Sequence, residues 1–133
     1  MAPPYDRVMR DEAAATTGAP RDLLAAMPKA ELHLHLDGSL RIETAVELAR
    51  TRDLDAPRTV EEMRRVLVAP ERSASQAELL RAFDLPIALL QDADALTRAA
   101  TELVETKAAD GVGYVEIRWA PLLHVAGGLT VDD

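Results

Sequence analysis

The sequence predicts an α/β chain, and three observations carry the prediction: a strand-like alternation over residues 30–36, a second over residues 112–120, and a long helix-periodic stretch between them. A helical crossover of that length joins parallel strands, so the two are expected to pair in parallel or to share one sheet. Two strands alone leave long edges unpaired and apolar residues uncovered on both faces. The chain therefore reads as the opening portion of a larger architecture.

Residues 1–27 read as a flexible arm, because Pro3, Pro4, Gly18 and Pro20 stand among small and polar residues. A short amphipathic turn from Leu23 to Met27 leads to Pro28, and residues 28–133 form the domain. In the first strand His33, His35 and then Asp37 take one face, while Leu32, Leu34 and Leu36 take the other. Asp37-Gly38-Ser39 makes a turn, with Ser39 a candidate cap for a helix over residues 41–52. Ile42, Ala45, Val46, Leu48 and Ala49 give that helix one buried stripe. Thr59 caps a short helix over residues 60–68. After Ser73 and Ser75 a longer helix spans residues 76–90, and Pro86 should kink or split it. Asp92 or Asp94 caps the next, which runs to about Ala109 and closes at Asp110-Gly111. In the second strand Tyr114, Glu116 and Arg118 share one face and Val115, Ile117 and Trp119 the other. Glu116 and Arg118 are expected as an internal charge pair, Trp119 as packing toward the helices, and His124 as an exposed loop residue.

Composition excludes several classes of function. The 23 acidic against 15 basic residues give a net charge of -8, so neither a nucleic acid nor an anionic membrane is an expected partner. Cysteine is absent, which leaves only His and carboxylate to hold a metal. No apolar run is long enough to cross a bilayer. The first residues carry Asp6, Asp11 and Glu12 and no apolar segment, unlike a secretory leader, so the cytoplasm is the default location. Nothing in the sequence marks an oligomeric state.

The His-x-His spacing supplies the candidate chemistry. Two imidazoles at i and i+2 on one strand face can both approach a zinc ion at about 2.0–2.1 Å without bending the backbone. Two ligands alone do not hold a catalytic zinc, and an isolated pair of this kind also suits plain polar histidines. Here an Asp and a Gly follow at the strand end, and three leucines back the opposite face. A (β/α)₈ barrel of about 250 residues places its working residues at the C-terminal ends of its strands. His35 and Asp37 lie at such an end.

The run PKAELHLHLDGSLRIETAVELA, residues 28–49, resembles the N-terminal signature of the adenosine deaminase family, metal-dependent hydrolases built on a (β/α)₈ TIM barrel. ELLRAFDLPI, residues 78–87, is similar to the family segment that covers the purine pocket, and GVGYVEIRWAP resembles its second barrel strand. The resemblance implies an N-terminal fragment of that barrel, comprising its first two strands and the intervening helices. It implies His33 and His35 as zinc ligands, His35 also against the nucleoside, Asp37 on the ribose 5′-hydroxyl, and Leu79, Leu80 and Phe83 as an apolar lid. Those three residues suit an ordinary helix core equally well.

The implied reaction is zinc-dependent hydrolytic deamination of adenosine or deoxyadenosine at purine C6, giving inosine or deoxyinosine. HLDG favours the nucleoside over free adenine, whose deaminases resemble an HIEG-like pattern; other 6-aminopurine nucleosides, such as aminofutalosine, stand beside it. The family's third His ligand, Asp ligand, general acid Glu and nucleophile-orienting His come from later strands. His124 is the only later histidine, and no His-x-x-Glu or Asp-Asp-Pro pattern occurs after the first strand. The general acid is expected beyond residue 133, and these residues alone are expected to lack autonomous activity. An inert fragment or binding module is the reading from a different class.

Overall fold

Parallel pairing of the two strands organises the computed structural model, which describes residues 20–69 and 75–132. Residues 1–19 of the arm and the punctuation at Ser73 lie outside the described residues. In chain order the elements are α1 (Arg21–Ala26), β1 (Lys29–His35), α2 (Ile42–Thr51), α3 (Val60–Leu67), α4 (Gln76–Leu80), α5 (Asp84–Leu89), α6 (Ala93–Ala109) and β2 (Val112–Arg118). Single 3₁₀ turns at Asp37–Ser39, Arg81–Phe83 and Pro121–His124 join them. Leu34 stands opposite Ile117 and His35 opposite Arg118, so both strands end at the same level. No helix among the described residues is long and apolar enough to cross a membrane.

The core lies between the sheet and the helices. Ala45, Val46 and Ala49 of α2 meet Met63, Leu89 and Leu90, and Leu34 and Ile117 pack against this cluster from the strands. Two local features differ from expectation, the Ser39 cap and the Glu116–Arg118 pair. Ser39 does not cap α2: its hydroxyl donates to the His35 carbonyl at 2.7 Å, because the 3₁₀ turn absorbs it and the helix starts after Arg41. The helix predicted over residues 76–90 is split, as expected of Pro86, with the break at Arg81–Phe83. Proline lacks the N–H that would bond the carbonyl four residues back and its ring crowds that group, so the break falls around Ala82. Glu116 and Arg118 form no pair; Glu116 accepts from the Tyr114 hydroxyl at 3.0 Å. The other caps match: Thr59 accepts from the Glu62 N–H at 3.3 Å, and Asp92, rather than Asp94, accepts from the Ala95 N–H at 2.8 Å. Gly111, at φ 75°, closes α6 in a conformation that favours glycine.

A polar network fastens α2 to α6. The Thr44 hydroxyl donates to Glu102 at 2.6 Å, Arg98 donates to the other Glu102 oxygen at 2.8 Å, and Arg98 also pairs with Glu47. Burial pushes the Glu102 carboxyl up, but the Thr44 and Arg98 hydrogen bonds, with the charges of Arg98 and Arg41, outweigh it and hold the group below the ordinary 4.5. A depressed folded value means that this stabilisation is fully present above the unfolded value and is lost as the pH falls through the folded one. Glu102→Gln is therefore expected to lower the urea midpoint near neutrality and to flatten its decline as the pH falls below the ordinary carboxylate range. An unaltered acid limb would show that the network has no part in acid sensitivity.

Candidate active site

The pleat of β1 places His33 and His35 on one side, with Nε2 atoms 3.1 Å apart and ring centroids 5.1 Å apart. Zinc–nitrogen bonds of about 2.0–2.1 Å in a tetrahedral arrangement set two ligand nitrogens about 3.3 Å apart, so the pair fits two corners of a zinc site. Among the described residues no group of three or more His, Cys, Asp or Glu side chains could complete it. Asp37, 4% exposed, follows at the strand end and accepts the Gly38 N–H at 3.0 Å.

A cavity of about 380 Å³ opens at the C-terminal ends of both strands. His35, Asp37, Leu80 and Phe83 line it, together with Asp84, Ile87, Arg118, Trp119 and Leu123. Phe83 meets the His35 ring edge-on, with centroids 5.7 Å apart. That approach requires a glycine at position 38, because a Cβ there would lie 2.8 Å from Phe83 Cε1. Leu79 turns the other way and lines an adjacent cavity of about 370 Å³, with Asp37, Gly38 and Phe83 between the two. His33 borders neither of these cavities.

One expectation is corrected at this end of the sheet. His124 is 1% exposed rather than an exposed loop residue. The 3₁₀ turn at Pro121–His124 folds it inward, where its Nδ1–H donates to the Leu90 carbonyl at 2.7 Å. Leu122, by contrast, is 72% exposed. Trp119 lies one residue past the end of β2 at Arg118; it borders this cavity and also a space lined by Ala93, Leu96 and Thr97 of α6. Asp84, Ile87, Arg118, Trp119 and Leu123 were not candidate pocket residues on sequence grounds. Their only shared signal was proximity to the ELLRAFDLPI and GVGYVEIRWAP segments.

Parallel strands whose C-terminal ends frame a pocket beside a metal-competent histidine pair define a class: this is an α/β fold shared with solved deaminases. The Arabidopsis N6-mAMP deaminase matches at a TM-score of 0.65 and 32% identity, over 83% of this chain and 32% of that one. The ADAL–IMP complex matches at a TM-score of 0.65 and 31% identity, over 84% of this chain and 32% of that one. The adenosine deaminase of Clostridium perfringens is 45% identical over 108 residues, which are 80% of this chain and 32% of that protein. That of Vibrio vulnificus is 43% identical over 108 residues, 80% of this chain and 33% of that protein. The family model described as adenosine deaminase matches residues 28–133. The chain belongs to the adenosine deaminase family, and it spans about a third of the length of these curated relatives.

Proposed function

We propose that this chain supplies the first metal ligands and the nucleoside-binding wall of a zinc-dependent hydrolytic deaminase that converts adenosine or deoxyadenosine to inosine or deoxyinosine. The observation that carries the reading is the His33–His35 pair, 3.1 Å apart at Nε2, beside buried Asp37 at the mouth of an apolar-walled cavity. His33 and His35 hold zinc, which when bound makes hydroxide available near neutral pH for attack at C6. Asp37 accepts the ribose 5′-hydroxyl, His35 lies against the nucleoside, Leu80 and Phe83 cover the base, and Leu79 backs Phe83 from the adjacent cavity. A glutamate outside residues 1–133 protonates the purine ring.

Charge favours a nucleoside over a nucleotide. Asp37 is the group proposed to meet the ribose 5′ end and Asp84 lines the same cavity, so a 5′-phosphate there would face carboxylates at close range, with Arg118 the cation among the lining residues. One observation supports the nucleotide as a second reading: the ADAL structures of the same fold hold IMP and GMP. Zinc content and conversion of adenosine, deoxyadenosine and AMP test these readings together. Turnover of AMP with adenosine untouched would move the substrate to nucleotides. Adenosine bound but unconverted by the 133 residues is the result that a binding module gives. A zinc-loaded protein that neither binds nor converts any purine would overturn the proposal.

Gly38→Ala probes the wall directly. The added methyl displaces the Phe83 ring edge rather than backbone, so adenosine is expected to bind roughly tenfold more weakly. Thermal stability should change little, and calorimetry beside the binding titration checks both. Unchanged binding would remove Phe83 from the site.

A further inference from the structure

We propose that Trp119 is a substrate-contacting wall of the candidate pocket and that His124 is the positioning residue that holds it in place, an inference that rests on the nucleoside reading above. The Trp119 ring lies 5.6 Å from the His124 ring at a tilt of 31°. His124 is 1% exposed and Trp119 is 45% exposed, so one ring is fixed and the other presents a free face. Trp119 borders two spaces at once. On one side lies the cavity of about 380 Å³ with His35, Asp37, Leu80 and Phe83; on the other lies a space of about 190 Å³ shared with His124, Leu96 and Thr97.

The anchor of this wall is unusually explicit. A carbonyl only accepts, so the 2.7 Å contact to the Leu90 carbonyl makes His124 Nδ1 the donor, and Nε2 is buried without a hydrogen-bond partner. Leu90 follows directly on α5, the helix that brings Asp84 and Ile87 to the cavity. Gln91 fastens the same turn: its amide donates to the carbonyls of Ile87 at 2.7 Å and Leu123 at 2.9 Å, and its oxygen accepts the Ala126 N–H at 2.9 Å. The end of α5 and the turn after β2 are thereby laced into one unit. Phenylalanine at position 124 would pack on Trp119 without leaving a buried nitrogen unpaired. What histidine adds is the N–H to Leu90, which sets the ring, and through it Trp119, relative to the α5 side of the pocket. Without the His124 ring, Trp119 has space behind it to turn away. In place, its face joins Leu80 and Phe83 in an apolar and aromatic enclosure suited to a flat purine.

Trp119 is the single tryptophan of the sequence, so its emission reports on the wall itself. Titration with adenosine is expected to change that emission saturably. His124→Ala should raise Kd for adenosine roughly 3- to 10-fold and should shrink the emission change. His124→Phe keeps the stack, loses the anchor and should fall between; it also carries the test if the alanine variant fails to fold. Trp119→Ala should match His124→Ala in Kd. Adenosine binding to the unaltered protein without a change in emission, or variants at position 124 with unaltered Kd, would overturn this inference and leave the nucleoside reading standing. An unaltered protein that binds no adenosine would overturn both.

Discussion

In a protein that also carries the later residues of the family site, replacing His35 by alanine is expected to strip zinc and to lower kcat/KM for adenosine by about 10³-fold or more, a barrier increase of at least about 4 kcal/mol. The size of the effect follows from two roles on one imidazole. His35 lies on the same side of β1 as His33, the side proposed to hold zinc, and it also borders the cavity together with Asp37 and Phe83. His33 touches the metal side but not that cavity. The two variants should therefore part company in binding experiments: His33→Ala loses zinc yet keeps most of its affinity for adenosine, whereas His35→Ala loses both. Metal analysis of each purified variant and an adenosine titration separate the outcomes. Full zinc occupancy in His35→Ala would refute the assignment of the pair.

Leu89→Ala is expected to cost about 3 kcal/mol of stability, within the range for truncating a fully buried leucine. Leu89 is 0% exposed and sits in the cluster that joins α5 to α2, α3 and the sheet. Domains of ordinary stability hold about 5–15 kcal/mol, so one such change removes a large part of the margin. Because α5 also carries Asp84 and Ile87 to the cavity, a void left at Leu89 should loosen the pocket as well as the core. Leu122→Ala is the matched control: the side chain is 72% exposed and its removal should shift stability by no more than about 0.5 kcal/mol. Equal urea midpoints for the two variants would mean that the core does not lie where the structure puts it.

Much of the scaffold was readable because its signals are local. Alternation over residues 30–36 located β1 to within a residue or so, and the long helical crossover implied parallel pairing with β2 or a shared sheet, of which the structure shows direct parallel pairing. Thr59 and Asp92 were found as caps because a short polar side chain ahead of a periodic run has a nearby N–H to satisfy. Ser39 carried the same local signal and took another partner, the His35 carbonyl, since the turn had already used the residues between strand and helix. The histidine pair was legible for the reason that a strand fixes side-chain direction at every second residue, whereas Asp37 lies in the 3₁₀ turn past the strand end. Trp119 and His124 were not, because the strand stops before them and no period governs residues past its end.

By itself, then, the sequence determined the α/β class, the order of its elements, the face shared by His33 and His35, and the resemblance that family membership bears out. Each depends on spacing along the chain, where covalent geometry sets the direction of a side chain. Only the tertiary structure decided that Leu80 and Phe83 face His35 while Leu79 faces the neighbouring space, that Arg118 borders the pocket instead of pairing with Glu116, and that His124 is buried behind Trp119. Those outcomes depend on which apolar surfaces meet across long sequence separations and on which distant carbonyl a buried N–H can reach. The bond from His124 to Leu90 is of that kind, and it arises only once the turn after β2 closes on the end of α5.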